Sequence, residues 1–247
     1  MVIFFAFVFG CCIGSFCNVI ISRVPCGESV IKGRSHCPTC EKRLRAIDMI
    51  PLLSYFNLKG RCRYCAVSIG FRHFLVELTG GIIGMLCVMF CKDYGEASFI
   101  YALAMLLLCI TVTDIETMLI PNAFVISLAV LAVIALFLFP EISVISRVVG
   151  MTAVSLFMLV LSLIVQGAFG GGDIKLMMAA GFLLGVVNTF IAFFLAAIIG
   201  AIAGIMLKLS NHQAKQIAFG PFLAIGIIIA FLFGNPLFSW YFQIVGK

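Results

Sequence analysis

Charge is what this sequence most lacks. Only 11% of its 247 residues are Asp, Glu, Lys or Arg, against 64% hydrophobic, and mean hydropathy is +1.24. Soluble domains carry about 25% charged and about 45–50% apolar residues, so a soluble globular protein is excluded. The apolar runs also lack the alternation of a transmembrane β-strand, which excludes a β-barrel. No basic residue precedes the first run, 1–22, and Arg23 follows it. A cleavable secretory signal carries its positive charge in front, so this run reads as a retained first helix with its N-terminus outside the cytoplasm. Internal repeats and low-complexity tracts are missing, as is any basic segment interleaved with aromatics in a nucleic-acid-binding module. The fold class that remains is an all-α polytopic membrane protein with the lipid bilayer as its solvent.

The few charges are unevenly placed. Thirteen of the 26 lie between Arg23 and Arg72. The sequence therefore divides into a first transmembrane helix (1–22), a polar cytoplasmic insert (23–72) and a membrane-embedded remainder (73–247). Further apolar runs cover 74–91, 97–113, 123–139, 145–166, 174–187, 189–207 and 220–241, making eight candidate helices, with Asn188 marking the break between the sixth and seventh. With eight alternating helices, ten basic residues of the insert plus Lys175, Lys208 and Lys215 face inside. Lys92, Arg147 and Lys247 face outside. That asymmetry follows the positive-inside rule.

Six of the eleven cysteines (Cys11, Cys12, Cys17, Cys87, Cys91 and Cys109) sit in apolar runs, where Cys packs as a small hydrophobe. Cys26 stands alone. The other four form two pairs, Cys37-Pro38-Thr39-Cys40 and Cys62-Arg63-Tyr64-Cys65. Two CxxC pairs at this separation match a four-thiolate structural zinc site. The reducing cytoplasm argues against two disulfides. Iron in the same cage and four unrelated thiols are the rival readings, and His36 is a possible competing ligand. His73 and His212 read as interfacial.

Ionisable residues at span ends draw attention because a charge inside a bilayer is costly. Asp114 ends the third helix and Asp173 precedes the sixth, after Gly170-Gly171-Gly172. Two predicted helices lie between them, so both aspartates return to the cytoplasmic face. Paired carboxylates share a proton, and one then serves as general base while the other donates. An N-cap and a solvated edge residue are the plainer readings of the two. The glycines lack phosphate-loop spacing after a strand. Glu77 and Glu116 are further acids near membrane edges.

The combined pattern resembles the type IV prepilin peptidases, the bifunctional leader peptidases and N-methyltransferases of the bacterial inner membrane. The residues that carry the likeness are Gly14-Ser15-Phe16-Cys17-Asn18-Val19, Arg23-Val24-Pro25, the CxxC pairs with Gly60-Arg61 and Val76-Glu77-Leu78, Gly170-Gly171-Gly172-Asp173 with Lys175-Leu176, and Phe219-Gly220-Pro221-Phe222. Gly170, Gly172 and Asp173 correspond to the family's GxGD string. The resemblance implies an aspartic dyad at Asp114 and Asp173 and zinc on Cys37, Cys40, Cys62 and Cys65. It implies prepilins or pseudopilins as protein substrates, cut after a glycine at the cytoplasmic face. S-adenosylmethionine would be the methyl donor for the new N-terminus, at residues the sequence does not identify. Glu116 and Asn122 depart from the family pattern, where Asp is common. A proton-coupled transporter using the two aspartates is the alternative from another class, but the paired interrupted repeats of transporters are not evident. A thiol oxidoreductase using the CxxC pairs is a third reading, set against by their cytoplasmic placement.

Overall fold

The computed structural model describes residues 1–32, 35–91, 93–165, 167–209 and 217–245. Arg34, Lys92, His212, Lys215 and Lys247 lie outside these. Among the described residues the chain is helical, with two isolated β-bridges, and divides into two compact units, Met1–Cys109 and Ile110–Lys247.

The first unit holds α1 (Val2–Arg23), a short 3-10 turn (Ala46–Met49), α2 (Leu53–Asn57), α3 (Phe71–Phe90) and most of α4 (Tyr94–Thr117). Hydrocarbon offers no hydrophobic drive between two equally apolar helices, so close backbone packing has to hold them. Glycine supplies it between α1 and α3. A Cβ on Gly14 would lie 2.8 Å from both Glu77 Cα and Val76 O, and one on Gly80 would lie 2.7 Å from Gly10 O. Asn18 donates from Nδ2 to His73 O (3.0 Å), and Tyr101 donates its hydroxyl to Gly10 O (3.3 Å).

The second unit holds the end of α4, α5 (Asn122–Leu138), α6 (Val144–Ile164), α7 (Gly171–Leu209) and α8 (Gly220–Val245). At 39 residues, a straight α7 would be roughly 58 Å long, about twice the hydrocarbon thickness. It is two helices. Gly185 has φ 74° and ψ 175°, a conformation only glycine adopts freely. The rings of Phe169, before α7, and Phe193, beyond Gly185, lie 6.0 Å apart, so the chain reverses there. We call the halves α7a (171–184) and α7b (186–209). The break predicted at Asn188 therefore falls at Gly185. With this division the expected eight apolar helices are present: five single helices long enough to span (α1, α3, α4, α6 and α8), the shorter α5, and the two arms of α7.

Such a tight reversal exposes the last carbonyls of α7a and the first N–H groups of α7b, which lipid cannot satisfy. The first turn of α6 supplies partners for both. Ser146 Oγ accepts from Val186 N (3.1 Å). Arg147 Nη1 donates to Leu183 O (2.8 Å) and Phe182 O (3.3 Å), and Nη2 to Phe139 O (2.8 Å) and Ala135 O (3.2 Å) at the end of α5. Arg147 is 0% exposed. Counted from the sequence only as one of three basic residues facing outside, it is a buried joint between helix ends.

One turn on, Gly150 lets α6 touch the hairpin backbone: a Cβ there would lie 2.7 Å from both Gly181 O and Gly185 C. The two glycine contacts, α1 with α3 and α6 with α7a, leave no room for a larger residue. Gly14→Val is expected to cost about 1–3 kcal/mol through overpacking, read as a lowered melting temperature of the purified protein in detergent.

Candidate functional site

Asp114 comes from the last turn of α4, and Asp173 from the first turn of α7a. Both are buried, at 5% and 8% exposure. The two carboxylates lie close enough to interact electrostatically. Each is fixed through one oxygen. Asp114 Oδ2 accepts the Gly220 N–H at the start of α8 (2.8 Å), and Asp173 Oδ2 accepts the Gly170 N–H (3.1 Å). The end of α4 and the starts of α7a and α8 gather at one end of this unit.

The glycines around the pair have separate tasks. A Cβ on Gly220 would sit 2.6 Å from Asp114 Oδ2, so only glycine lets the amide approach. Gly172 faces Ile120 in the α4–α5 connection, where a Cβ would meet Ile120 Cβ at 3.0 Å. Gly170 provides the amide for Asp173. In that connection Met118 adopts φ 55°, and its N–H bonds back to Asp114 O (2.9 Å). Sequence reasoning found the two acids and the glycine run, but gave Phe219-Gly220-Pro221 no physical task. The string begins α8 with its amide aimed at Asp114. Lys175 donates from Nζ to Asn122 Oδ1 (3.1 Å), which ties α7a to α5 beside the pair. Asn122 makes this link a neutral acceptor's bond.

The insert holds the second cluster. Cys37, Cys40, Cys62 and Cys65 bring their four Sγ atoms within 4.8 Å of one another. They sit on two knuckles of the same design. In the first, Cys37 N bonds Lys42 O (3.0 Å) and Glu41 N bonds Cys37 O (2.8 Å). In the second, Cys62 N bonds Val67 O (2.8 Å) and Ala66 N bonds Cys62 O (3.0 Å). Glu41 and Ala66, each just after a second cysteine, both have φ 56°. His36 is not in the four-thiol group and instead forms a bridge with Arg43. Such a set can hold a tetrahedral metal ion. The backbone amides of Cys40 and Thr39 draw the Cys37 thiol down to about 6, so its thiolate is available near neutral pH.

Asp48 accepts from Arg63 Nε (2.9 Å), clipping the 3-10 turn to the second knuckle. The same guanidinium holds the Asp48 carboxyl below the usual carboxylate range. At the base of the insert Asn18 is buried with Oδ1 unpartnered. From α3 the Glu77 carboxylate accepts the Leu52 N–H (2.9 Å), holding Leu52 at φ 61° ahead of α2. Glu77 thus joins the polar contacts of the insert, as its place near a membrane edge suggested.

Fold and sites together define a polytopic helical membrane protein with an acid pair at one helix-end cluster and a four-thiol insert. Residues 8–91 match the model of the bacterial peptidase A24 N-terminal domain, and residues 101–205 match that of the type IV leader peptidase family. The chain is 35% identical to a prepilin leader peptidase/N-methyltransferase of Bacillus subtilis, over 96% of each chain. It is 33% identical to one of Vibrio cholerae, over 89% of this chain and 92% of that one. A third, from Aeromonas salmonicida, is 31% identical over 97% and 93%. No solved structure matches significantly. The chain belongs to the type IV leader peptidase family.

The four thiols supply a test that does not depend on activity. Cys37→Ser and Cys62→Ser are each expected to reduce bound metal from about one ion per chain to near none, measured by elemental analysis of the purified protein. Full metal content in both variants would remove these residues from the ligand set.

Proposed function

We propose that this chain is a membrane aspartic endopeptidase that removes the leader of prepilin-like proteins and methylates the N-terminus it exposes. The observation that carries the reading is the meeting of two buried aspartates, Asp114 and Asp173, from helices separated in sequence by two others. Each has one oxygen engaged by a backbone amide. The other oxygens are then left for a water and for the scissile carbonyl. One carboxylate takes the proton of the water as it attacks, and the partner, protonated, donates to the carbonyl oxygen. A proton then passes to the leaving amine and the C–N bond breaks. Burial keeps bulk water away from the shared proton.

The names of the Bacillus, Vibrio and Aeromonas relatives support the substrate class. Following the resemblance, cleavage falls after a glycine next to the substrate's apolar segment. The charge asymmetry supports a cytoplasmic insert and dyad, with the N-terminus outside, in a bacterial inner membrane. The alternative of a proton relay in a transporter has no observation in its favour beyond the two acids.

Zinc is the ion we assign to Cys37, Cys40, Cys62 and Cys65, because four thiolates complete a closed tetrahedral structural site. S-adenosylmethionine, when bound, supplies an activated methyl group on a sulfonium centre. The cofactor is cationic at sulfur and carries hydrogen-bond donors. The Glu77 carboxylate and the unpartnered Asn18 carbonyl oxygen, beside the insert, are the acceptors that fit it.

Two measurements test the two halves separately. Asp114→Asn and Asp173→Asn are each expected to slow leader removal from a prepilin by at least about 10³-fold, while helix content and melting temperature stay near the parent's. Parental processing by either variant would sink the dyad. Glu77→Gln is expected to weaken equilibrium binding of S-adenosylmethionine about tenfold, measured by calorimetry in detergent. Unaltered affinity would remove Glu77 from the donor site.

A further inference from the structure

Arg147 stands apart from every group used above. It is fully buried, sits at the opposite end of α7a from Asp173, and has five carbonyl contacts, including Ile142 O at 3.4 Å. A buried guanidinium is expensive to desolvate and is tolerated only where its donors are met. Here it meets the carbonyl ends of two helices, whose partial negative charge favours a cation. We propose that Arg147 is a positioning residue for the acid pair: it fixes α7a along its own axis and so sets where Asp173 stands relative to Asp114.

Three observations combine in this assignment. First, α7a is a short rigid rod with Asp173 in its first turn and the Arg147 contacts, Phe182 O and Leu183 O, in its last. A shift at one end is therefore delivered to the other. Second, the same guanidinium holds Ala135 O and Phe139 O at the end of α5. At the other end of these helices Lys175 of α7a meets Asn122 of α5. The two helices are thus tied at both ends, and the tie beside the acid pair is exposed and neutral on one side. The buried, charge-assisted tie at Arg147 is the stronger of the two.

Third, the first turn of α6 divides its work. Ser146 satisfies the N–H of Val186, on the α7b side of the reversal, while Arg147 satisfies the carbonyls on the α7a side. This division provides a control. Ser146→Ala loosens the same reversal without releasing α7a from α5.

The test compares Arg147→Met, Arg147→Lys and Ser146→Ala in the full-length protein in lipid nanodiscs. Leader cleavage is followed as kcat, KM and a pH–rate profile, normalised to folded enzyme. The titratable groups near the pair at that end are Asp114, Asp173, Glu116 and Lys175, and none is altered. Arg147→Met is expected to lower kcat about 10–100-fold with KM within about twofold, because displaced reacting groups cost rate more than binding. The limbs of its pH profile also move, since the proximity of the two acids sets them. Arg147→Lys, which keeps the cation but not the fork, recovers part of the rate. Ser146→Ala lowers the melting temperature and leaves the pH limbs in place.

A parental kcat and pH profile in Arg147→Met overturns the proposal. If Arg147→Met does not fold, Arg147→Lys decides: parental pH limbs overturn it, and displaced limbs support it. Limbs displaced equally by Ser146→Ala also overturn it, because any loosening of the reversal would then suffice. The kinetic readout rests on the peptidase reading. Absence of cleavage by the parent enzyme itself would fail that reading and is distinguishable from a defect confined to the variants.

Discussion

A backbone N–H or C=O that leaves its helix inside hydrocarbon finds no water, and it must be met by another protein group or the structure does not form. The second unit of this chain is arranged around one place where that requirement is acute. At Gly185 the chain turns back within about a single residue, so carbonyls and amides lose their helical partners together. The guanidinium of Arg147 and the hydroxyl of Ser146 meet them from α6. Gly150 and Gly181 bring the backbones close enough for this to happen. Once the reversal is secured, α7a and α7b can pack as neighbours, and Asp173 comes to the end of the unit where α4 finishes and α8 begins.

The insert of the first unit obeys a different rule. It has polar surroundings and little apolar interior, so its order comes from point contacts. Two matching cysteine knuckles, the Asp48–Arg63 pair and the Glu77 carboxylate on Leu52 N–H provide them. A metal on four thiolates would contribute folding free energy directly. The aromatic contacts Tyr55–Phe74 and Phe56–Phe74, with ring centroids 5.2 and 5.4 Å apart, join α2 to the first turn of α3. One chain therefore contains a region ordered by close backbone contact in lipid and another ordered by ligands and ion pairs.

Much of this was legible in the sequence, for identifiable reasons. Apolar length defines membrane helices almost directly, and paired CxxC spacing brings thiols together through local turns. The parity of the helices sufficed to predict that Asp114 and Asp173 share an end. Contacts between distant residues were not legible. Arg147, at the start of an apolar run, counted only as an outward-facing charge because its five acceptors are backbone carbonyls, which have no sequence signature. Gly185 looked like one small residue in a long apolar run, and the polar Asn188 nearby drew the break to itself. The start of α8 carried a recognisable string, yet its use depends on an amide meeting a carboxylate from α4.

The lengths of two helices have a consequence for the bilayer. α5 has 17 residues, about 25 Å of helix, and α7a is shorter still at roughly 21 Å. A typical hydrocarbon core is about 30 Å thick. Two adjacent elements below that thickness, tied to each other at both ends, cannot make up the shortfall by tilting, which only reduces the span further. Lipid beside them must compress instead, a hydrophobic mismatch in which the membrane yields to the protein. The headgroup region is thereby drawn inward along the α5–α7a side, toward the helix end that carries Asp173.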